Sequence, residues 1–274
     1  MLNQPSRESA RAETGKVSAL PPAPSNRFLA SMRLVGIAAW TLLIFPFFLL
    51  GQTLRGETPR RYPNSTWWSQ FWLGPCRRML GVCVHVEGSP PPEGCLLASN
   101  HTGYLDIIVL ASLLRCFFVG KAEIATWPFM GVLYRKTDQI IVSRKRGRDL
   151  VETISRVSER LNAGQSVCVF LEGTSTGNDL LLPFYAPLVQ PALDSGAPVA
   201  PIGIRWRPRN PRLRVAEDIA YWGGHHIGHH AWRLLGLRGL DVHVRYGEPV
   251  SPEGHSRKSL AAELERRVAE LPDL

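Results

Sequence analysis

The stretch Leu96-Leu97-Ala98-Ser99-Asn100-His101-Thr102-Gly103-Tyr104-Leu105-Asp106 joins an apolar run to a histidine that is followed five positions later by an aspartate. Residues 95–98 are typical of a short buried strand, and the apolar spacing of residues 104–114 predicts a helix. The sequence therefore places His101 on the turn between a strand and a helix.

His101 and Asp106 are too far apart in sequence to meet on one helix, because neighbours on a helix face are three or four residues apart. They can meet only if the histidine lies in the turn and the aspartate lies in the first helical turn, with Gly103 giving the backbone freedom to bring them together. A carboxylate that accepts from one imidazole nitrogen supports the charge formed when the other nitrogen takes a proton. The pattern indicates a general base and its orienting carboxylate, with the nucleophile supplied by a substrate hydroxyl. The alternative is a purely structural turn in which the aspartate caps the loop.

The composition limits the classes of protein to consider. The chain has 274 residues, of which 45% are hydrophobic, so it can form one large domain with a substantial core. A net charge of +9 favours an anionic partner. An acidic membrane surface fits better than nucleic acid, because no compact Lys/Arg run or zinc-finger spacing is present. The five cysteines are scattered and mostly apolar in context, which favours reduced thiols in a reducing cytosol.

The N-terminal third predicts attachment to a membrane. Residues 1–26 have the composition of a disordered tail. Residues 34–51 contain no charge and are long enough to cross a bilayer or to bend within one leaflet at Pro46; a buried core helix is the alternative. Residues 66–81 combine tryptophans with arginines, which suits a helix at the level of the lipid headgroups, or a helix packed on the domain. Residues 27–80 are thus a predicted membrane-associated segment, and residues 81–274 form a separate domain.

The rest of the chain predicts an α/β fold. Helical patterns, clearest at 147–162 and 256–271, alternate with short apolar runs typical of strands. This alternation predicts a central, largely parallel sheet flanked by helices, with the loops at one sheet edge forming the site. The candidate strands are 83–86, 95–98, 116–119, 139–143, 167–170, 199–205 and 242–246.

A second polar loop follows the apolar run Val167-Cys168-Val169-Phe170-Leu171 and reads Glu172-Gly173-Thr174-Ser175-Thr176-Gly177. The pattern Gly-x-Ser-x-Gly also matches the nucleophile elbow of α/β serine hydrolases, with Ser175 as nucleophile. The partners would be Asp218 or Asp241 and His243 or His255. However, the elbow serine should start a helix, whereas Asn178, Asp179 and Pro183 break the chain after it. A hydrolase also leaves His101 and Asp106 unexplained.

The histidine run His225-His226-x-x-His229-His230 has the spacing of a zinc-binding helix. It contains no nearby acidic residue, and its glycines disfavour a helix through the first pair. We expect a partly exposed histidine-rich segment and no metal site there.

Taken together, the motifs resemble those of the glycerolipid acyltransferases typified by 1-acyl-sn-glycerol-3-phosphate acyltransferase. The resemblance covers about residues 80–250 and consists of four blocks in the family's order. They are Asn100-His101-x4-Asp106; Gly120-Lys121 through Pro128-Phe129-Met130-Gly131 to Ile140-Ile141-Val142-Ser143-Arg144; Phe170-Leu171-Glu172-Gly173-Thr174; and Ala197-Pro198-Val199-Ala200-Pro201-Ile202.

The resemblance implies specific roles for residues of each block. His101 would be the base on the acceptor hydroxyl, which attacks the acyl thioester directly, and Asp106 would orient it. The third block would shape the acceptor site through Glu172, Gly173 and Thr174. The second block would bind the acceptor phosphate through Lys121 and Arg144. The resemblance implies no metal and no bound cofactor, since the acyl donor, acyl-carrier-protein or coenzyme A thioester, is a cosubstrate.

Two departures from the family's third block, Phe-Pro-Glu-Gly-Thr-Arg-Ser, concern the acceptor. Leu171 replaces the proline, and Ser175 stands where an arginine would bind phosphate with two parallel hydrogen bonds. Glu-Gly-Thr-Ser followed by Leu182-Pro183-Phe184 also resembles the lyso-ornithine-lipid branch, whose acceptor has an amino-acid head.

The expected activity is conversion of 1-acyl-sn-glycerol-3-phosphate to phosphatidic acid in phospholipid biosynthesis, at the cytoplasmic face of the inner membrane. A lyso-ornithine-lipid acceptor is the first alternative. A non-catalytic membrane-anchored protein is the second, although it should have lost motif residues that are present here. The expected partners are membrane lipids, a lyso-lipid and the acyl carrier, with no nucleic acid.

Overall fold

The computed structural model describes residues 23–54, 64–121, 130–142, 147–177, 180–222 and 226–271. Its helices and strands alternate along most of the chain after two N-terminal helices. The helices are α1 (Arg27–Leu54), α2 (Asn64–Met79), α3 (Tyr104–Leu113), α4 (Met130–Lys136), α5 (Gly147–Asn162), α6 (Gln190–Ser195), α7 (Ile227–Leu235) and α8 (Arg257–Glu270). The strands are β1 (Val82–Glu87), β2 (Leu96–Ser99), β3 (Phe117–Lys121), β4 (Ile140–Val142), β5 (Val167–Phe170), β6 (Val199–Trp206) and β7 (Leu240–Tyr246).

These strands form one sheet in the order β1-β7-β6-β2-β5-β3-β4. Neighbouring strands are parallel except for β6 and β7, which are antiparallel. The predicted α/β class with a largely parallel sheet is therefore confirmed. The carboxyl ends of β2, β3, β5 and β6 lie at one edge of the sheet, so the turns after these strands can build a shared site.

The sheet is covered on both faces, and this explains its continuous apolar strands. Every residue of β2 and of β5 is buried. Leu97 and Ile202 face a core completed by α3, whereas Leu96 and Val199 face a core completed by α5 and α8. Parallel strands buried on both faces have this apolar composition, without the alternation of half-exposed strands.

Helix α1 is longer than the predicted apolar run 34–51 and continues through Pro46. It is long and apolar enough to cross a bilayer, and 17% of its most apolar stretch is buried. This exposure argues against a buried core helix. Two indoles join α1 to α2, since Trp40 Nε1 donates to the carbonyl of Trp72 at 3.1 Å and Trp72 Nε1 donates to Thr41 Oγ1 at 2.9 Å.

Of the predicted disordered tail, 1–26, residues 1–22 lie outside the described residues. Residues 23–26, by contrast, pack against the domain, and this corrects the end of the predicted tail. The amide of Ala23 donates to Asp218 Oδ1 at 3.0 Å, and Ser25 Oγ donates to the carbonyl of Arg233 at 2.8 Å. Composition could not indicate this order, because the partners lie about 200 residues away along the chain.

Candidate active site

His101 and Asp106 meet at the carboxyl end of the central strand β2. His101 follows the strand by two residues, and Asp106 lies in the first turn of α3. The distance between His101 Nδ1 and Asp106 Oδ2 is 2.9 Å. The strand–turn–helix geometry thus brings together the two residues that the sequence singled out.

Asp106 is fully buried and accepts hydrogen bonds on both oxygens. Besides His101, Oδ2 accepts from the amides of Thr102 at 2.6 Å and Gly103 at 2.9 Å. Oδ1 accepts from the hydroxyl of Thr102 at 2.8 Å and from Trp206 Nε1 at 2.9 Å. Burial alone would raise the pKa of Asp106, but the hydrogen bonds and the charge of His101 outweigh it and hold the pKa below its usual value. The group is therefore a carboxylate at neutral pH.

This carboxylate sets the tautomer of His101. An ionised Asp106 can only accept, so Nδ1 of the imidazole must carry the proton, and Nε2 is left with its lone pair. The ring of His101 stacks on that of Phe170, with centroids 3.8 Å apart and planes tilted by 16°. Its side chain remains 18% exposed. The imidazole is thus held in one orientation while keeping access to solvent, the geometry that a general base needs.

Gly103 is needed for a different reason from the predicted one. Its φ of 165° is extended backbone that any residue can adopt, so flexibility is not required. Instead, a Cβ at this position would lie 2.7 Å from the amide nitrogen of Tyr221. That amide donates to the carbonyl of Thr102 at 2.9 Å. The glycine therefore allows a second chain segment to pack directly on the turn.

Glu172 is buried and joins the two loops of the site. Its Oε1 accepts from the amide of His101 at 2.7 Å, and its Oε2 accepts from the amide of Leu182 at 2.9 Å. Burial raises the pKa of Glu172 to about 8, and the nearby charge of Asp106 acts in the same direction, against the lowering effect of the two amides. The carboxyl thus holds the backbone that carries His101.

The rest of the third block continues this support. Gly173 has a φ of 70°, a left-handed conformation that favours glycine. Thr174 follows it and is half-buried. The amide of Thr176 donates to the carbonyl of His101 at 2.9 Å, and Ser175 Oγ donates to the carbonyl of Tyr221 at 2.6 Å.

The predicted phosphate ligands, Lys121 and Arg144, belong to the second block. Lys121 is the last residue of β3, and its backbone lies at the sheet edge that carries His101. Arg144 lies outside the described residues, as does the side chain of Lys121.

The geometry does not favour a serine hydrolase at Ser175. A nucleophile elbow leads from a strand directly into a helix, but residues 175–177 are irregular. The proposed acidic partners are engaged elsewhere. Asp218 pairs with Arg233, and Asp241 pairs with His85 and Arg209.

The histidine run is also divided by the fold. His225 lies outside the described residues, His226 precedes α7, and His229 is exposed. His230 is buried, and its Nδ1 lies 2.9 Å from Tyr104 Oη. The described part of the segment is thus partly exposed, as predicted, and its buried member, His230, packs beside the His101 turn through Tyr104.

Sequence reasoning missed several residues that hold the site. Trp206 lies at the end of β6, one hundred residues from Asp106 in sequence, and donates to its carboxylate. Phe170 belongs to the third block, and its stacking on His101 was not predicted. Asn100 bridges β2 to β6, since its side chain donates to the carbonyl and accepts from the amide of Ile204, both at 2.8 Å. A tryptophan at the end of a predicted strand indicates a buried side chain that needs a hydrogen-bond acceptor, but the sequence does not indicate which residue accepts.

Known acyltransferases are similar to this chain. A family profile described as Acyltransferase matches residues 81–205. The lyso-ornithine lipid O-acyltransferase of Pseudomonas aeruginosa is 32% identical over 244 residues, covering 88% of this chain and 91% of that protein. The 1-acyl-sn-glycerol-3-phosphate acyltransferase of Neisseria meningitidis is 32% identical over 225 residues, covering 80% and 83%.

A solved structure shares the fold. The crystal structure of the 1-acyl-sn-glycerophosphate (LPA) acyltransferase PlsC from Thermotoga maritima superposes with a TM-score of 0.64 at 22% identity, covering 89% of this chain and 95% of that one. With the extended similarity to the curated relatives, the shared sheet and the His-x4-Asp turn, these findings show that the chain belongs to the acyltransferase family of the PlsC type.

Proposed function

We propose that this acyltransferase moves a fatty acyl group from an acyl thioester to the hydroxyl of a lyso-lipid with an amino-acid headgroup, of the lyso-ornithine-lipid class. The observation that carries the acyl-transfer chemistry is the hydrogen bond between His101 Nδ1 and the buried Asp106 carboxylate. The choice of acceptor is supported by the similarity to the Pseudomonas lyso-ornithine lipid O-acyltransferase and by Ser175 in the third block.

In the proposed reaction, Nε2 of His101 takes the proton of the acceptor hydroxyl as its oxygen attacks the thioester carbonyl. The carbon–sulfur bond breaks when the tetrahedral intermediate collapses, and the leaving thiolate receives the proton from His101. Asp106 stabilises the imidazolium that forms between these two steps. The overall transfer needs no metal and no bound cofactor, and the acyl donor is either the carrier-protein or the coenzyme A thioester.

Ser175 supports an acceptor without a phosphate. An arginine at this position would offer a phosphate a charged, forked donor, which a serine cannot replace. The serine hydroxyl is moreover already hydrogen-bonded to the carbonyl of Tyr221. The site therefore has one fewer cationic ligand than the family pattern, which weakens phosphate binding.

The second candidate is lysophosphatidate, which the sequence analysis ranked first. It is favoured by the similarity to the Neisseria 1-acyl-sn-glycerol-3-phosphate acyltransferase. The Pseudomonas lyso-ornithine lipid O-acyltransferase aligns with 88% of this chain and the Neisseria protein with 80%, and we therefore place the aminolipid ahead of lysophosphatidate.

We assign the binding roles accordingly. Glu172, Gly173 and Thr174 shape the acceptor site, Glu172 by holding the backbone of His101. Lys121 and Arg144 supply positive charge for an anionic headgroup, a carboxylate or a phosphate. Residues 27–80 attach the domain 81–274 to the cytoplasmic face of the membrane, where the lyso-lipid is found.

The test is a competition assay in which purified full-length protein receives equal amounts of lyso-ornithine lipid and lysophosphatidate with one acyl donor. We expect the ornithine product to dominate. Because a hydrogen bond to a charged group contributes about 1.5–3 kcal/mol, Ser175→Arg should shift the product ratio about tenfold to a hundredfold towards phosphatidate. Ser175→Ala is the matched control and should not shift it. Exclusive acylation of lysophosphatidate by the wild type would contradict the proposed acceptor.

A further inference from the structure

Two adjacent strands at the far end of the sheet present four metal-ligand side chains on one face. In the parallel pair β1–β7, Cys83 is opposite Asp241 and His85 is opposite His243. Residues two apart on a strand point to the same side, and directly opposed residues share that side. The four side chains therefore form the corners of one square on the ladder.

The donor atoms of three of these residues are close together. One donor atom each from Cys83, His85 and Asp241 lie within 4.8 Å of one another, and His85 Nε2 is 3.1 Å from Asp241 Oδ1. The imidazole of His243 stacks on that of His85, with ring centroids 4.7 Å apart. Tetrahedral zinc, with bonds of about 2.0–2.3 Å, needs donors about 3.5 Å apart.

Asp241 is already oriented as metal-binding carboxylates usually are. Its Oδ2 accepts from Arg209 Nε at 2.7 Å, which leaves Oδ1 facing His85. A hydrogen bond to the second oxygen of a ligating carboxylate is a common outer-shell feature.

The charges also suit a divalent cation. Arg209 and Arg207 make the surroundings positive, but one thiolate and one carboxylate together neutralise a bound dication. Cys83 is the exposed cysteine, whereas the other four cysteines are buried.

We propose that Cys83, His85 and Asp241 bind one Zn²⁺, with His243 as the fourth ligand. Thiolate, imidazole and carboxylate are the ligands that zinc takes in proteins. The ion would displace the thiol proton of Cys83 and the hydrogen bond between His85 and Asp241. Because β1 lies at one end of the strand order, the metal would tie this edge strand to β7 without entering the acyl-transfer site.

The test uses full-length protein in detergent, stripped with a chelator and titrated with Co²⁺ as a spectroscopic probe for Zn²⁺. We expect one ion per chain, a thiolate-to-cobalt charge-transfer absorption, and loss of that absorption when Zn²⁺ is added. Cys83→Ser should abolish the absorption, and His85→Ala should weaken binding by at least about tenfold. Absence of the absorption, or its persistence in Cys83→Ser, would overturn the proposal.

A matched control separates the site from other histidines. His229→Ala removes an exposed histidine outside the square and should leave Co²⁺ binding unchanged. Zn²⁺ should raise the melting temperature of the wild type and of His229→Ala but not that of Cys83→Ser, since a ligand stabilises only the state that binds it. In chelator, Cys83→Ser should transfer acyl groups like the wild type, so failure of the metal proposal is distinguishable from failure of the proposed function.

Discussion

Asp106 receives unusually extensive support for a single carboxylate. Hydrogen bonds reach it from an imidazole, two amides, a hydroxyl and an indole. A buried carboxylate with this many donors stays ionised, and an ionised partner fixes the imidazole with its free nitrogen outward. Burial alone would favour the protonated acid, but the hydrogen bonds keep Asp106 ionised. The ionised carboxylate in turn holds His101 in one orientation.

Replacing Trp206 with phenylalanine tests this support. Trp206→Phe keeps an aromatic ring in the core but removes the donor to Asp106 Oδ1, so we expect a loss of about 1.5–3 kcal/mol in the free energy of unfolding. We also expect kcat to fall about tenfold with little change in KM, because the substrate does not touch this indole. Both quantities are measured by denaturant titration and by steady-state kinetics.

Trp72→Phe provides the control, since it removes an indole hydrogen bond to Thr41 far from His101. It should cost stability without lowering kcat. Equal effects of the two variants on kcat would show that Trp206 does not position Asp106.

Glu172 predicts a pH-dependent contribution to stability. Its pKa is about 8 in the folded chain and ordinarily 4.5, so the unfolded state loses its proton first as the pH rises. The contribution of Glu172 is therefore fully present below about pH 4.5 and is lost as the pH rises to about 8. Glu172→Gln cannot ionise, and its free energy of unfolding should decline less over this interval than that of the wild type. Parallel profiles for the two proteins would contradict the raised pKa.

The pair His101 and Asp106 could be predicted from the sequence because both members lie within one turn, where spacing decides which residues can meet. Trp206, Glu172 and Tyr221 reach the same turn through tertiary contacts, and no local pattern names such partners. The role of Gly103 was also predicted incorrectly. A side chain at this position is excluded by Tyr221, which is distant in sequence, so no local pattern could indicate the contact.

At the scale of elements, α1 and α2 share an exposed aromatic surface. Trp67 and Phe71 stack with ring centroids 5.3 Å apart, and 41% and 43% of these residues are exposed. Exposed tryptophan and phenylalanine beside an apolar helix are typical of proteins that enter the headgroup region of a bilayer.

The double variant Trp67→Ser and Phe71→Ser should therefore bind vesicles of mixed neutral and anionic lipids more weakly than the wild type. Co-sedimentation measures the bound fraction, and high salt alone should not release the wild type, because apolar burial is not screened. Val151→Ser removes an exposed apolar side chain from α5 and should bind like the wild type. Recovery of the intact chain in the supernatant without detergent would contradict membrane attachment.

The elements themselves were largely predictable, because apolar periodicity reports burial directly. Helix α5 has the predicted bounds, and each predicted strand has a counterpart within a few residues. Helix α1 extends beyond the apolar run at both ends, and Arg33 in its N-terminal extension donates to the carbonyls of Leu235 and Leu237. A hydrogen bond to a part of the chain that is distant in sequence leaves no periodic pattern in the sequence.

At the scale of the whole molecule, the sheet order brings the chemistry to one edge. Strands β6, β2 and β5 are neighbours in the sheet. His101 and Glu172, which follow β2 and β5, therefore lie close to Trp206 at the end of β6. The strand order, with β7 antiparallel to β6, could not be read from alternating helices and strands. The alternation nevertheless predicted that the loops at one sheet edge form the site.

The central claim is that His101 is the base in acyl transfer to a lyso-lipid hydroxyl. The most direct measurement is the rate at which purified His101→Ala forms acylated lyso-ornithine lipid, determined by mass spectrometry and compared with the wild type and with His229→Ala as the control. Asp106 keeps its other donors in this variant, so the melting temperature should change little. We predict a loss of about 10²–10⁴-fold for His101→Ala and none for His229→Ala; product formation by His101→Ala at a rate close to that of the wild type would contradict the account.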